Sequence, residues 1–576
     1  MSNTNVALRK GFSWPAFSWD RLLFAAVLLT VAALVVYPVV LMLANSFIEG
    51  HFTPAQHWSL EPWRRALDEP AVSAAIWNTV RIVAAVELIS LPCAVVLAWL
   101  IARTDVPGSR AFEFVFWIAF FVPVLSAVLG WVVLLDPQTG LINQVLKSAT
   151  GVSPFDIYSF WGIVWTHLAT NAIAIKVMLL APMMRNLDAT FEEAARTSGA
   201  GRLRTLRKVV LPLAVPGIVT VLVLALIRGM QTFEIEQVLG APSNFWVFGT
   251  LIYRLIEHQP PEFGPATVLS ALAIFIIAPL ILCHRWLMTR KDYTTVGGRM
   301  NVEPMRLGVL RWPAFALLAL VAVVLVCLPA VSLFAASFMK LFGFFNVPEP
   351  WTLANWRKVL SDDFFLHALG NTFVVAGSAA LVSCLLSTLI AYFAVRSGHR
   401  GRNVLDFASW LPFALPGILF GVGLLYAILG NPILRPLYGG RTILVMALVA
   451  AHMTLGVQIL KTAMVQLSGS LEEAGRVNGA SWWYCFGRII IPIVTPSIFL
   501  VAIMSFVSAA RDISTIALLG NNDTKTLSLL QLDYLVDGRS ESAAVISSLL
   551  ILLTTGAALI GRLALGNLSA AGRRDG

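Results

Sequence analysis

The chain has 576 residues, of which 58% are hydrophobic and 12% charged, and its mean hydropathy of +0.79 excludes a soluble protein of ordinary composition. Its formal charge of +10 does not point to nucleic acid, because Lys and Arg gather in short loops between apolar runs with no stacking aromatics around them. Five single cysteines, Cys93, Cys283, Cys327, Cys384 and Cys485, form no C-x-x-C pair, which excludes a disulfide framework and a cysteine metal site.

The N-terminal MSNTNVALRKGFSWPAFSWDR is polar and aromatic, and the apolar run from Leu22 to Leu43 is long enough to span a bilayer. It is too long for a signal-peptide core, so it reads as a retained first span, although Leu43-Ala44-Asn45-Ser46 faintly resembles a cleavage site. Apolar runs bounded by charge, proline or glycine predict first-half spans at 22–47, 75–102, 112–135, 160–182, 212–234 and 264–287. The second half gives 312–338, 368–395, 404–430, 441–461, 490–511 and 542–564. The expected fold class is an all-α membrane protein of about 12 transmembrane helices, two sets of six.

Positive charge orients the spans. Arg9, Lys10 and Arg21 precede the first, Arg103 and Arg110 separate the second from the third, and Arg285, Arg290, Lys291, Arg299 and Arg306 follow the sixth. All fall on the cytoplasmic side if both termini are inside, while the opposite loops are mixed or acidic, as with Glu61, Asp68 and Glu69, or Asp523, Asp533 and Asp537. Residues 288–311, polar and with Gly297 and Gly298, read as a cytoplasmic linker between a first unit at 1–287 and a second at 312–576.

The two units are copies. Asn78-Thr79, Arg103, Gly108 and Pro123 recur as Asn371-Thr372, Arg396, Gly401 and Pro416, each displaced by 293. Further along, Glu193, Gly199 and Pro212 recur as Glu473, Gly479 and Pro492, displaced by 280. The thirteen residues between the two displacements are missing from the second copy in the outer loop after its third span, where loops absorb length changes. Six spans per copy leave both copies running in the same direction, a parallel pair about the membrane normal with a pathway expected between them.

The 280-residue repeat centres on two loops, EEAARTSGAGRLRTLRKVVLP at 192–212 and EEAGRVNGASWWYCFGRIIIP at 472–492. Each reads as a short helix, a glycine turn and an amphipathic helix that enters the membrane at a proline, with Pro212 placed where a new span would start. Arg202, Arg204, Arg207 and Lys208 put the first loop in the cytoplasm. The pattern E-A-A, three residues, G, nine residues, I-x-L-P resembles the signature loop of permease subunits of binding-protein-dependent ABC importers. It is carried by Glu193, Ala194, Ala195, Gly199 and Val209 to Pro212, then by Glu473, Ala474, Gly475, Gly479 and Ile489 to Pro492. Val209 departs conservatively, whereas Gly475 in place of alanine should cost its helix roughly 1 kcal/mol.

The resemblance implies two tandem six-helix type I ABC importer permease repeats in a bacterial inner membrane. It also implies a dimer of ATP-binding subunits on the cytoplasmic side, each with a groove for one signature helix, and a substrate-binding protein outside. The chain contains no G-x-x-x-x-G-K-[ST] phosphate loop, so ATP hydrolysis is expected on a separate subunit and no cofactor is expected here. No H-E-x-x-H motif or nucleophile elbow suggests a catalytic site. A single chain fusing two permease halves, with RDISTIALLG after the eleventh span and YTTVGG after the sixth, looks most like the ferric iron permeases. Permeases for thiamine, phosphonates, polyamines or sulfate share much of this architecture. A gradient-driven secondary transporter also shows twelve helices in two parallel halves, but it would not need twin Glu-Gly loops.

Ionisable residues in the spans are costly in hydrocarbon and should face protein or water. Arg228, Glu234 and Glu236 near the end of the fifth span, and Arg511 and Asp512 at the end of the eleventh, occupy equivalent regions. Two readings fit them: lining of the outer pathway, or interfacial charges and internal ion pairs such as Arg228 with Glu234. Glu87 and Lys176 read as ties to neighbouring helices. His167 and His452 lie in the fourth and tenth spans at positions the repeat does not match, and read as hydrogen-bonded interior groups rather than ligands.

Overall fold

The computed structural model describes residues 19–52, 55–187, 190–290, 304–345 and 347–571. Arg9, Lys10, Gly297, Gly298 and the YTTVGG stretch lie outside the described residues. Among those described, ten helices are long and apolar enough to cross a membrane: Trp19–Asn45, Pro70–Arg103, Phe160–Arg185, Leu206–Gly229, Phe263–Cys283, Gly308–Ala336, Asp363–Arg396, Arg441–Val465, Trp482–Arg511 and Ser540–Leu565. Counting each of two bent pairs as one span brings the number to twelve. Ser109–Ala119 meets Val124–Leu135 at 101°, and Arg402–Phe413 meets Gly417–Leu429 at 113°.

The third and ninth spans are therefore elbows, not the straight helices expected over 112–135 and 404–430. Pro123 and Pro416 each stand immediately before the second limb. A proline offers no N–H, clashes with the carbonyl of the preceding turn, and drives the residue before it out of the α region, as at Leu415 with ψ 129°.

Four other prolines are accommodated by widening. A π-helical turn lies just ahead of Pro38 (Ala32–Val36), Pro212 (Leu206–Val210), Pro329 (Val323–Cys327) and Pro492 (Cys485–Ile490), and the helix runs on through each. Pro212 thus does not open a span; it sits inside one continuous helix, Leu206–Gly229. That helix ends at Gly229 rather than at 234, and Glu234–Leu239 forms a separate short helix.

The first span of each half packs on the other half. Tyr37–Asn45 lies against the second elbow's inner limb, Gly417–Leu429, and Leu328–Ala336 lies against the first's, Val124–Leu135. Glycine allows the backbones to touch: a Cβ on Gly130 would fall 2.1 Å from the Pro329 carbonyl oxygen, and one on Gly423 would fall 2.8 Å from that of Pro38. Gly130 and Gly423 are themselves displaced by 293. Ser332 closes the first contact, its hydroxyl donating to the Gly130 carbonyl at 2.9 Å.

The length difference between copies falls where expected. The first half inserts helix Leu141–Thr150, and the second has only the turn Arg435–Leu437. Asn143 stitches the insertion down, its Nδ2 donating to the carbonyls of Leu135, Asp136 and Phe155 at 2.7–3.1 Å. The described end of the linker is tied to the second span: Met305 N donates to Arg103 O at 2.9 Å and Leu307 N to the Asp105 carboxylate at 2.6 Å.

Gly130→Ala should lower stability by at least about 1–3 kcal/mol, because the clash is with backbone and cannot be relieved by a rotamer change. Gly377→Ala, in helix Asp363–Arg396 with open space around it, should be neutral or stabilising by up to about 1 kcal/mol. Thermal unfolding of the purified protein checks the pair; equal midpoints for both variants would refute the close-contact account.

Candidate functional site

The signature loops fold as their residues suggest. Thr190–Thr197 and Ser470–Val477 are the short helices, and Gly199 and Gly479 turn the chain at φ +78° and +81°. A Cβ at either glycine would meet nothing within 4 Å, so the left-handed backbone, not crowding, calls for glycine there. Glu193 lies in the first helix; Ala194, Glu473, Ala474 and both glycines are exposed, while Ala195 and Gly475 are half-buried.

What holds each loop is the glutamate before the expected one. Glu192 and Glu472 are buried at 7% exposure, each facing an arginine at the end of the second span of its own half. Arg103, 2% exposed, donates to Glu192 through Nε at 2.9 Å and through Nη2, and its Nη1 reaches the Leu187 carbonyl at 3.2 Å. In the second half Arg396 stands 3.9 Å from Glu472 and donates to the Leu467 carbonyl, the repeat-equivalent of Leu187. Arg103 and Arg396 are thus not merely solvated topology charges; they clamp the loops. Glu472 has further company, the Tyr392 hydroxyl at 3.4 Å and Arg476 at 3.8 Å.

The departure at Gly475 has a packing reason. A Cβ there would lie 2.9 Å from Cys485 Sγ and 3.0 Å from Ile489 Cδ1. The first copy has Thr205 and the smaller Val209 at the corresponding positions, and its alanine fits.

At the far end of the bundle the two halves interlock. Breaking a helix frees carbonyls that hydrocarbon cannot hydrate, and each elbow's free carbonyl is taken by the opposite half. Gln231 Nε2 donates to Phe413 O at 2.7 Å, and Arg511 Nη1 donates to Phe120 O and, at 3.5 Å, approaches Val122 O. Gln231 and Arg511 are equivalents at 280, and Phe120 and Phe413 are equivalents at 293. Arg228 and Arg511 also lie over the rings of Phe413 and Phe120, each 4.8 Å from the centroid.

The charges singled out in the sequence divide accordingly. Arg228, Glu234, Arg511 and Asp512 gather at this seam, close enough to interact electrostatically. Among the described residues no ion pair joins Arg228 to Glu234. Glu236 is fully buried and pairs with His167 at 2.7 Å; Asp512 lies 3.2 Å from His452 and accepts from Thr515 N and Oγ1 at 2.9 and 3.0 Å. Lys176 ties to Glu87 at 2.9 Å between the fourth and second spans. No cluster of three or more His, Cys, Asp or Glu suited to a metal occurs among the described residues. Gln231, Phe120, Phe413, Glu192 and Glu472 were not singled out as site residues, although the two displacements would have paired them.

Arg103→Ala should cost about 3–5 kcal/mol, since it leaves Glu192 buried without its cation. Arg396→Ala should cost less, because Tyr392 and Arg476 remain beside Glu472. Unfolding midpoints, with limited proteolysis at the loops, check the order; a larger loss for Arg396→Ala would contradict it.

Comparison with known proteins agrees with this layout. The family described as "binding-protein-dependent transport system inner membrane component" matches twice, at residues 91–292 and 383–564. A probable ABC transporter permease protein, y4fN of Sinorhizobium fredii, is 27% identical over 82% of this chain and 84% of its own length. The putative ferric transport system permease protein FbpB 1 of Haemophilus influenzae is 28% identical over 88% of this chain and 79% of its own. The ferric transport system permease protein FbpB of Actinobacillus pleuropneumoniae is 27% identical over 92% and 76%. With the family domain present twice across well over half of its length, the chain belongs to the binding-protein-dependent inner-membrane permeases of ABC importers.

Proposed function

We propose that this chain is the membrane pathway of an ATP-driven importer that takes ferric iron from a soluble binding protein outside the cell membrane and releases it inside by alternating access. The observation that carries the mechanical part is the anchoring of both signature loops to the second spans, by hydrogen bonds from Arg103 to Glu192 and by a looser 3.9 Å ion pair of Arg396 with Glu472. Ferric cargo is supported by two relatives named as ferric permeases that cover most of the chain. Both termini are assigned to the cytoplasm, with 1–287 and 312–576 as the two repeats and 288–311 as their linker.

The levers are Glu193, Ala194, Ala195 and Gly199 in one loop and Glu473, Ala474, Gly475 and Gly479 in the other. Each seats in one subunit of a separate ATPase dimer. When ATP draws the two subunits together, each loop carries its second span by the buried arginine and pushes on its fifth or eleventh span. Leu206–Gly229 and Trp482–Arg511, at 24 and 30 residues, are rods of about 36 and 45 Å. Their far ends carry Arg228 and Arg511, so motion at the loops arrives where the halves grip each other's elbows. Arg228, Glu234, Glu236, Arg511 and Asp512 line or support the outer pathway, carboxylates suiting a hard oxygen-preferring cation and arginines an anion that accompanies it.

Uptake of ferric ion into vesicles holding the full complex should require ATP and the ATPase subunit and should survive collapse of proton and sodium gradients. Uptake driven by a gradient without the ATPase would put the chain among secondary transporters instead. Within the same assay, Glu234→Gln and Asp512→Asn should each depress uptake, on the order of tenfold if each removes about 1.4 kcal/mol of cargo stabilisation. Unchanged uptake in both would remove these carboxylates from the pathway.

A further inference from the structure

We propose that His167 and His452 are positioning residues of transport. Each holds the carboxylate that follows the fifth span of its half, so that the neighbouring donor stays aimed at the opposite elbow. The proposal rests on the transport reading above.

Both histidines face the carboxylate past the fifth span of their own half. His167 Nε2 is hydrogen-bonded to Glu236 Oε1 at 2.7 Å, and His452 Nε2 stands 3.2 Å from Asp512 Oδ2, an ion-pair contact without hydrogen-bond geometry. Each contact ties the fourth span of a half to the segment just past that half's fifth span. Yet neither partner keeps its place in the repeat. His167 corresponds to Ala447 and Glu236 to Ile516, so the second-half histidine lies five residues later and its carboxylate four residues earlier. Consecutive spans run in opposite directions, so both displacements point towards the signature-loop end. Along the helical fourth span the histidine's displacement amounts to about 7.5 Å. The π turn Leu168–Ala172 next to His167 takes up one extra residue in the first half, which brings the two displacements level. The histidine and its carboxylate have both shifted towards the signature-loop end, and the two still face each other.

The link stands next to the seam in both halves. Asp512 follows Arg511, whose guanidinium reaches Phe120 O of the other half, and its two bonds from Thr515 fix the turn between them. Glu236 sits in the helix Glu234–Leu239 that follows Gln231, the donor to Phe413 O. Glu236 Oε2 has no further partner among the described residues, so His167 is what satisfies this buried carboxylate. Without His167 the Glu236 carboxylate is buried with no donor among the described residues, and without His452 the Asp512 turn is held by Thr515 alone; the two elbows then respond less faithfully to the loops.

The test uses the full chain in complex with the ATPase and binding protein that co-purify with it, and ferric ion as the probe. His167→Leu and His452→Leu should raise the ATP hydrolysed per ferric ion imported by about fivefold or more, the size of a 1 kcal/mol coupling. His167→Gln and His452→Gln, which can still donate to the carboxylate, should return the ratio close to wild type, a rescue that a purely space-filling role would not require. Leucine variants that keep the wild-type ratio overturn the proposal, as do glutamine variants that fail as badly as leucine. If a leucine variant does not assemble, His167→Ala and His452→Ala decide: a raised ratio supports the link and an unchanged ratio overturns it. A wild-type complex without ATP-driven uptake fails the transport reading itself, whatever the variants do.

Discussion

A helix broken at membrane depth must find donors for the carbonyls it releases, and in this protein the donors come from the other half of the chain. Pro123 and Pro416 bend the third and ninth spans through 101° and 113°, and Arg511 and Gln231 reach across to Phe120 O and Phe413 O. A straight helix would satisfy its own backbone and need no neighbour. The elbows convert a local requirement for hydrogen bonds into a reason for the two repeats to stay engaged. The crossing of the first spans adds a second attachment, made backbone to backbone at Gly130 and Gly423.

Engagement at one end becomes useful because the other end is stiffly connected to it. The signature helices are held to the second spans by buried or half-buried arginines, and the amphipathic segment after each glycine turn continues without a break into a long span. The π turns before Pro212 and Pro492 let a proline sit in that helix without dividing it. A hinge at these prolines would have absorbed movement in the loops. As built, each loop is one end of a rod whose other end carries a residue stacked on an elbow of the partner half.

Much of this was legible before any coordinates. Apolar runs mark twelve segments, the charge pattern groups them, and two fixed displacements reveal the duplication and its loops. The losses have physical causes. Pro123 and Pro416 stood out as equivalent, but hydropathy alone does not distinguish a bent apolar segment from a straight one. Arg103 and Arg396 read as topology charges because sequence does not show which side of a helix end is covered. The glycine at 475 looked like a weak helix former, and only the approach of Cys485 and Ile489 explains it. His167 and His452 were read as interior hydrogen-bonding groups; His167 bonds Glu236, while His452 has only an ion-pair contact with Asp512, and the displacement that makes them counterparts is invisible to a search at one fixed spacing.

The central claim is that movement at the loops is delivered to the seam at the far end. Spin-label distances in the assembled complex test it directly, with one pair at Thr197 and Val477 on the loops and another at Ser243 and Asp523 beyond the fifth and eleventh spans. Both pairs are exposed and repeat-equivalent. On adding ATP the account predicts that the loop pair draws together while the far pair changes its separation in the same step. A loop pair that closes while the far pair stays fixed would contradict it.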